Sequence, residues 1–372
     1  MSRKQPYQLM KTMILMIMAI ACSFSSSSQN SSRHNFIVSG QGHYGYLISH
    51  RGNMTHLIKG HIYGGELNYI FRTSGSKCWH PMYKYPEFGI CAVHLYLANP
   101  SQLGNLDAIY PYTNLRLNKE NKKFKLDLRL GVGLAYISKP FDRITNHQNV
   151  AIGSHYNGFV NLRLNGSFML TPAWRMDAGV GLSHASNGAI KTPNLGLNLT
   201  TLNLGLGYVF GEKNLLMKCD SVMPPAAKKW HPSLIAIAGI KELEHPNGSK
   251  YLAYGLMMNM YRTRNYKNKF GGGLEIAYSN ATRKDLVNDS LEVKTKDVIQ
   301  AGAKIGYMFQ LDRLSLPIEF GMYFYKSEAN ADRFFHRIGL RYMLTKHVMA
   351  NITLLTHWAK ADYFEWGLGY EF

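Results

Sequence analysis

After its first thirty residues the chain has no apolar run that approaches the roughly 18 residues a membrane-spanning helix needs. That excludes a helical membrane protein, and the mean hydropathy of −0.20 agrees. Cysteine is scarce. Cys22, Cys78, Cys91 and Cys219 are spaced like no zinc motif, and the odd number left after a leader gives no complete disulfide framework, although one bridge can form. Charge is sparse too, at 17% of residues, and acidic residues are few, 23 against 42 basic, for a net charge of +19. The basic residues are scattered among strands and turns. No basic helix or RNA-binding signature gathers them, so nucleic acid is not an expected partner. An anionic lipid surface suits the charge better, with many lysines decorating turns at a membrane rim. No cofactor and no metal is expected.

Glycine (34), tyrosine (24) and phenylalanine (17) are abundant. Glycine and aromatics in alternating polarity suit strands in a wall. The N-terminus reads as a signal peptide over residues 1–21. Arg3, Lys4 and Lys11 form its positive start, Met13 to Ile20 its short apolar core, and Ala19-Ile20-Ala21 a small-x-small cleavage site. A Ser-rich segment, 22–34, follows. Cys22 sits where a lipidated cysteine would, but Ala19 suits poorly the bulky position of that motif.

From about Asn35 the chain breaks into segments of period-2 polarity. In Lys123–Ile137 one face takes Phe124, Leu126, Leu128, Leu130, Val132, Leu134 and Tyr136, and the other Lys125, Asp127, Arg129, Gly131, Gly133 and Ala135. Such sets point to opposite sides of a sheet. Lengths near ten or more fit a tilted membrane span better than the usual five or six. The last segment alternates Phe364, Trp366, Leu368, Tyr370 and Phe372 with Glu365, Gly367, Gly369 and Glu371, and a terminal aromatic on such a strand resembles the assembly signal of outer-membrane barrels.

The expected fold is therefore all-β, a transmembrane antiparallel β-barrel of the bacterial outer membrane with about 16 strands, 12 or 14 if weak segments merge. The segments lie near 35–50, 61–73, 86–97, 105–118, 123–138, 154–170, 173–186 and 197–210, then 231–243, 250–262, 268–280, 297–310, 313–325, 333–345, 347–359 and 362–372. Short links such as Leu170–Ala173 and Gln310–Arg313 read as periplasmic turns, and longer ones such as Ser138–Ser154 and Asn280–Asp297 as external loops. A linker at 211–230, with Met223-Pro224-Pro225-Ala226, divides the chain into halves of about eight strands, 35–210 and 231–372. Whether the halves join one barrel or close separately stays open, as does the oligomeric state.

The seventh segment ends in Ser183-His184-Ala185-Ser186-Asn187-Gly188, and Lys191-Thr192-Pro193-Asn194 follows. This H-x-S-N motif with its K-x-P-N turn resembles the PagL-type lipid A 3-O-deacylases, and especially their longer relatives, the acyloxyacyl hydrolases. The likeness extends more loosely over about Phe36 to Phe210, roughly half the chain. It implies an outer-membrane serine esterase that removes an acyl chain from lipid A, with lipopolysaccharide and outer-membrane lipids as partners. Carried over, it makes Ser186 the nucleophile, His184 its general base, and Asn194 and the amide near Gly188 the oxyanion group, with Asn187 and Lys191 nearby on the substrate side.

The residue pattern is compatible with that chemistry. Residues i and i+2 of a strand share a face, so an imidazole can activate the serine hydroxyl beside it. Trp174, Met176, Ala178, Val180 and Leu182 have the parity of His184 and Ser186, so the pair should face lipid at the external end. One departure matters. Fourteen residues after the histidine the family pattern has an acid, and here stands Asn198. A hairpin centred on Lys191 would set it across from His184, where its oxygen can fix a tautomer but supplies no negative charge. Asp177 has the wrong parity to substitute. His155, with Ser154 and Asn157, is either a substrate contact or a rim residue. His43, His50, His56 and His61 read as rim residues, and Lys191 and Arg143 as possible phosphate ligands. A wide passive pore, suggested by inward Lys125, Asp127, Arg129 and Arg163, or a structural barrel with a vestigial site, are the competing readings.

Overall fold

Alternation governs the structure, a computed structural model. It describes residues 35–119, 123–211, 226–243, 246, 248–288, 293–326, 332–358 and 360–372. The expected signal peptide, the Ser-rich segment, Cys22, Cys219 and most of the linker lie outside the described residues. Sixteen strands form. The first eight are β1 (Phe36–Ile48), β2 (Ile62–Arg72), β3 (Glu87–Tyr96), β4 (Asn105–Arg116), β5 (Phe124–Ile137), β6 (Tyr156–Met169), β7 (Trp174–Ser186) and β8 (Leu197–Phe210). The second eight are β9 (Trp230–Glu242), β10 (Lys250–Asn265), β11 (Asn268–Ser279), β12 (Ile299–Leu311), β13 (Leu314–Tyr325), β14 (Phe334–Met343), β15 (Val348–His357) and β16 (Lys360–Glu371).

Closure answers the question the sequence left open. β1 pairs with β8 and β9 with β16, so the strands close as two antiparallel barrels of eight. Among the described residues two of the links carry α-helix. Trp79–Met82 lies between β2 and β3, and Asn280–Asn288 interrupts the long loop between β11 and β12.

Eight strands enclose a space that side chains fill. In the first barrel Arg163 grips Glu66 with two hydrogen bonds of 2.7 Å, and Arg129 and His43 reach the same carboxylate at 3.4 and 3.0 Å. Nearer the short-turn end, Arg175 joins Glu87 and Asp177, and Arg116 joins Asp127. Toward the long-loop end Met54, Leu57, Leu103 and Ile152, all from loops, pack on Leu95, Leu106 and Leu199 and stopper the barrel with apolar side chains. In the second barrel Glu319 takes Lys304 and Arg341 at 2.7 Å each, and Arg337 bridges Glu275 and Glu365.

Two expectations are corrected here. Sixteen strands do not enclose a wide lumen: Asp127, Arg129 and Arg163 sit in ion-paired, packed interiors, with Lys125 3.8 Å from Glu87. Nor is His43 a rim residue. Its odd parity turns it inward, where it is buried between Glu66 and Thr201.

The outer walls are apolar and end in aromatic belts, as membrane interfaces favour. Phe36 stacks on Tyr69 and Phe210, and Trp174 meets Tyr208, at the short-turn end. Tyr63 with Tyr96, and Tyr136 with Tyr156, form the belt at the long-loop end. Between them lie exposed Leu162, Leu164, Val180, Leu202 and Leu204. The barrels stand side by side with long loops at the same end. The Glu242 amide donates to the Ala189 carbonyl at 2.8 Å at that end, and the Tyr83 hydroxyl donates to the Gln310 carbonyl at the other. Cys78 is disulfide-bonded, and Cys91 is free and buried.

Candidate active site

The site is built on the β7–β8 hairpin. Its register pairs Leu182 with Thr200 and His184 with Asn198, as a hairpin centred on Lys191 requires. On β7, Trp174, Met176, Val180 and Leu182 are exposed, while Arg175, Asp177 and Ser183 are buried inside. His184 and Ser186 continue the outward row at the long-loop end. Ser186 faces outward by parity yet is only 6% exposed. Asp177 lies inside the wall, bonded to Arg175, and cannot reach His184 from there.

His184 Nδ1 lies 2.7 Å from Asn198 Oδ1. Asn198 Nδ2 lies 2.9 Å from His50 Nδ1. These two bonds are consistent with one proton arrangement. His50 accepts from the amide nitrogen, the amide oxygen accepts from His184 Nδ1–H, and His184 Nε2 keeps its lone pair. His50 is thus part of the site, where sequence reasoning saw a rim residue. A signal was available: His50 follows Tyr44, Tyr46 and Ile48 in outward parity, and barrel closure pairs Ile48 with Asn198.

The 187–196 segment is tied internally. The Asn187 amide nitrogen donates to Ser154 Oγ and to the Lys191 carbonyl, both at 2.8 Å, and the Lys191 N–H donates back to Asn187 Oδ1. The Asn187 backbone N–H donates to Asn194 Oδ1 at 3.0 Å. With its oxygen so committed, Asn194 offers its Nδ2 as a donor. Gly188 and Gly196 have positive φ, at 60° and 82°, where glycine carries no steric penalty. At Gly196 the need is sharper, because a Cβ there would stand 2.6 Å from His184 Cε1.

The remaining candidates are partly brought in. Ser154 joins the site through Asn187, and Asn157 bonds to Ser154. His155 is held against the Ile137 carbonyl and stacked on Tyr136, at the edge. Arg143 donates to the Pro246 carbonyl of the second barrel, and His56 to the Gln148 carbonyl, so neither is directed at Ser186. His61 stacks on Tyr44.

Residues 63–207, which hold this hairpin, match the family model described as lipid A 3-O-deacylase (PagL), and residues 230–372 match that of the acyloxyacyl hydrolase C-terminal domain. The chain belongs to the PagL lipid A deacylase family. As a PagL-family protein it is a carboxylic ester hydrolase of lipid A and resides in the bacterial outer membrane. The two matches fall on the two barrels. No curated protein matches the sequence. Among solved structures, Neisserial surface protein A aligns over 48% of this chain and 97% of its own, at 14% identity and a TM-score of 0.31. A substituted Rh. blastica porin aligns over 91% and 99%, at 6% identity and a TM-score of 0.17. Scores this low carry no argument, and the fold assignment rests on the strand pairing itself.

Proposed function

We propose that this PagL-family protein removes an ester-linked acyl chain from lipid A in the outer leaflet by serine-esterase chemistry. Ser186 is the nucleophile, His184 its general base, Asn198 the group that orients His184, and Asn194 Nδ2 with the backbone amide near Gly188 the oxyanion donors. Asn187 organises the donors, and Lys191 stands at the loop where lipid A phosphates would lie. The observation that carries this reading is the 2.7 Å contact between His184 Nδ1 and Asn198 Oδ1, on the same outer face as Ser186.

The steps follow from that arrangement. His184 Nε2 takes the Ser186 hydroxyl proton as Oγ attacks the ester carbonyl carbon. The negative charge that develops on the carbonyl oxygen is stabilised by the N–H donors. The imidazolium then gives its proton to the departing alcohol oxygen, and the acyl chain stays on Ser186. Water, deprotonated by His184, attacks the acyl-enzyme and releases the fatty acid. The position on the outer wall suits this substrate. Ser186 lies opposite Gly158, two residues along β6 from Tyr156 of the aromatic belt. Belt aromatics lie at headgroup depth, where the leaflet presents its acyl esters.

The test is mass spectrometry of lipid A from cells that carry the wild type, Ser186→Ala or His184→Ala, with barrel folding checked by heat-modifiable mobility. The wild type is expected to remove an acyl chain and both variants to leave it in place. Intact lipid A with the wild type, in cells and with purified protein, would sink the reading and favour a vestigial site.

A further inference from the structure

The second barrel holds the active-site loop from outside. Three contacts reach the 187–196 loop across the seam at the long-loop end, beside that of Arg143 with Pro246. The Glu242 N–H donates to the Ala189 carbonyl at 2.8 Å. The Glu242 carboxylate, on a residue only 3% exposed, accepts from the Thr192 N–H. The Phe364 ring lies directly against Gly188, where a Cβ would overlap it, and would stand 3.3 Å from a Cβ at Gly158. Phe364 belongs to the outward row of β16. Its neighbours in that row, Trp366 and Leu368, are 56% and 63% exposed, but Phe364 is half-buried because the first barrel covers it.

These contacts bear on the residues that must be placed most accurately. Ala189 and Thr192 lie within the segment between Asn187 and Asn194, and Gly188 is where the proposed backbone oxyanion donor stands. A donor displaced by about 1 Å is enough to lose a large part of such catalysis. The first barrel supplies the other side of the grip, since the Gly196 N–H donates to the Ala151 carbonyl at 2.9 Å. The 187–196 loop is therefore held between two walls of different barrels.

We infer that Glu242 and Phe364, from the second barrel, are positioning residues for the 187–196 loop, Glu242 by accepting the Thr192 N–H and Phe364 by filling the space over Gly188. This rests on the proposed role of Ser186 and its loop. It gives the second barrel, whose interior is filled, a part in the reaction of the first. Glu242 does not substitute for the missing acid of the triad: its carboxylate is engaged by the loop backbone, while His184 is bonded to Asn198.

The experiment uses the full-length protein purified in detergent micelles, with hexa-acylated lipid A as substrate and released fatty acid as readout. Wild type, Ser186→Ala, Glu242→Ala, Glu242→Gln, Phe364→Ala and Phe364→Leu are compared, each first shown to keep its heat-modifiable mobility. Glu242→Ala and Phe364→Ala are expected to lower kcat at least tenfold with KM within twofold of the wild type. Glu242→Gln, whose amide oxygen still accepts from Thr192, is expected to retain more than half of kcat, and Phe364→Leu to lie between. If Glu242→Ala and Phe364→Ala both stay within twofold of the wild-type kcat while Ser186→Ala is inactive, the positioning role is overturned and the active-site assignment stands. An inactive wild type, or an active Ser186→Ala, overturns both. If Glu242→Ala does not fold, the Phe364 pair decides by the same criteria.

Discussion

Asn198 Nδ2 meets His50 Nδ1 at 2.9 Å, which fixes the direction of the amide that faces His184. Without His50 the Asn198 amide can rotate and present its nitrogen to His184, which would leave the wrong tautomer. The lost restraint is one neutral hydrogen bond, about 1 kcal/mol. His50→Ala is expected to lower kcat roughly fivefold, and Asn198→Ala, which removes the orienting group itself, to lower it considerably further. Single-turnover release of fatty acid from lipid A measures both.

Asn198→Asp restores a negative charge at the imidazole with almost no change in shape. A carboxylate there stabilises the imidazolium that forms during attack, and kcat at neutral to alkaline pH is expected to rise about tenfold. The sign of the pH effect follows from the same charge. His184 must be neutral to accept the Ser186 proton, and the carboxylate favours its protonated form, so the acidic limb of the kcat/KM profile should move to higher pH. A profile that stays in place, with unchanged kcat, would mean that the residue at 198 does not act on His184.

Gly196→Ala places a methyl 2.6 Å from His184 Cε1 and forces a side chain onto a residue with φ of 82°. The imidazole must shift from its place. Activity is expected to fall by about two orders of magnitude, while heat-modifiable mobility stays that of the folded barrel.

Stability should depend on the first barrel's interior far more than on its lipid face. Glu66→Ala leaves Arg163 and Arg129 without their carboxylate inside a closed wall. Breaking a buried pair in this way costs about 3–5 kcal/mol. Leu204→Ala, on a side chain 61% exposed on the outer wall, should cost much less. Urea unfolding in micelles, followed by tryptophan fluorescence, measures the difference.

The strands were legible because alternation is local: each stretch of ten residues carries its own inside and outside. The same parity placed His184 and Ser186 on the outer face, and hairpin geometry placed Asn198 opposite His184. Closure was not legible. Whether β8 returns to β1 or continues to β9 is decided by pairing across more than a hundred residues, and no pattern within a strand records it. From that gap the inward charges looked like the lining of a wide lumen, and Glu242 and Phe364 carried no motif; His43 and His50 looked alike although their parity differs. His43 and His50 differ only in parity and in what closure brings to them, Glu66 in one case and Asn198 in the other.

Phe364 lies on β16, the strand that closes the second barrel against β9, and touches Gly188 on the other barrel. That contact can exist only once β16 has closed against β9. The grip on the active-site loop is therefore complete only when the second barrel is closed. A partly assembled molecule in transit has the serine and histidine in its sequence but not the finished loop around them. Closure of the second barrel is thus a condition for the finished loop on the first.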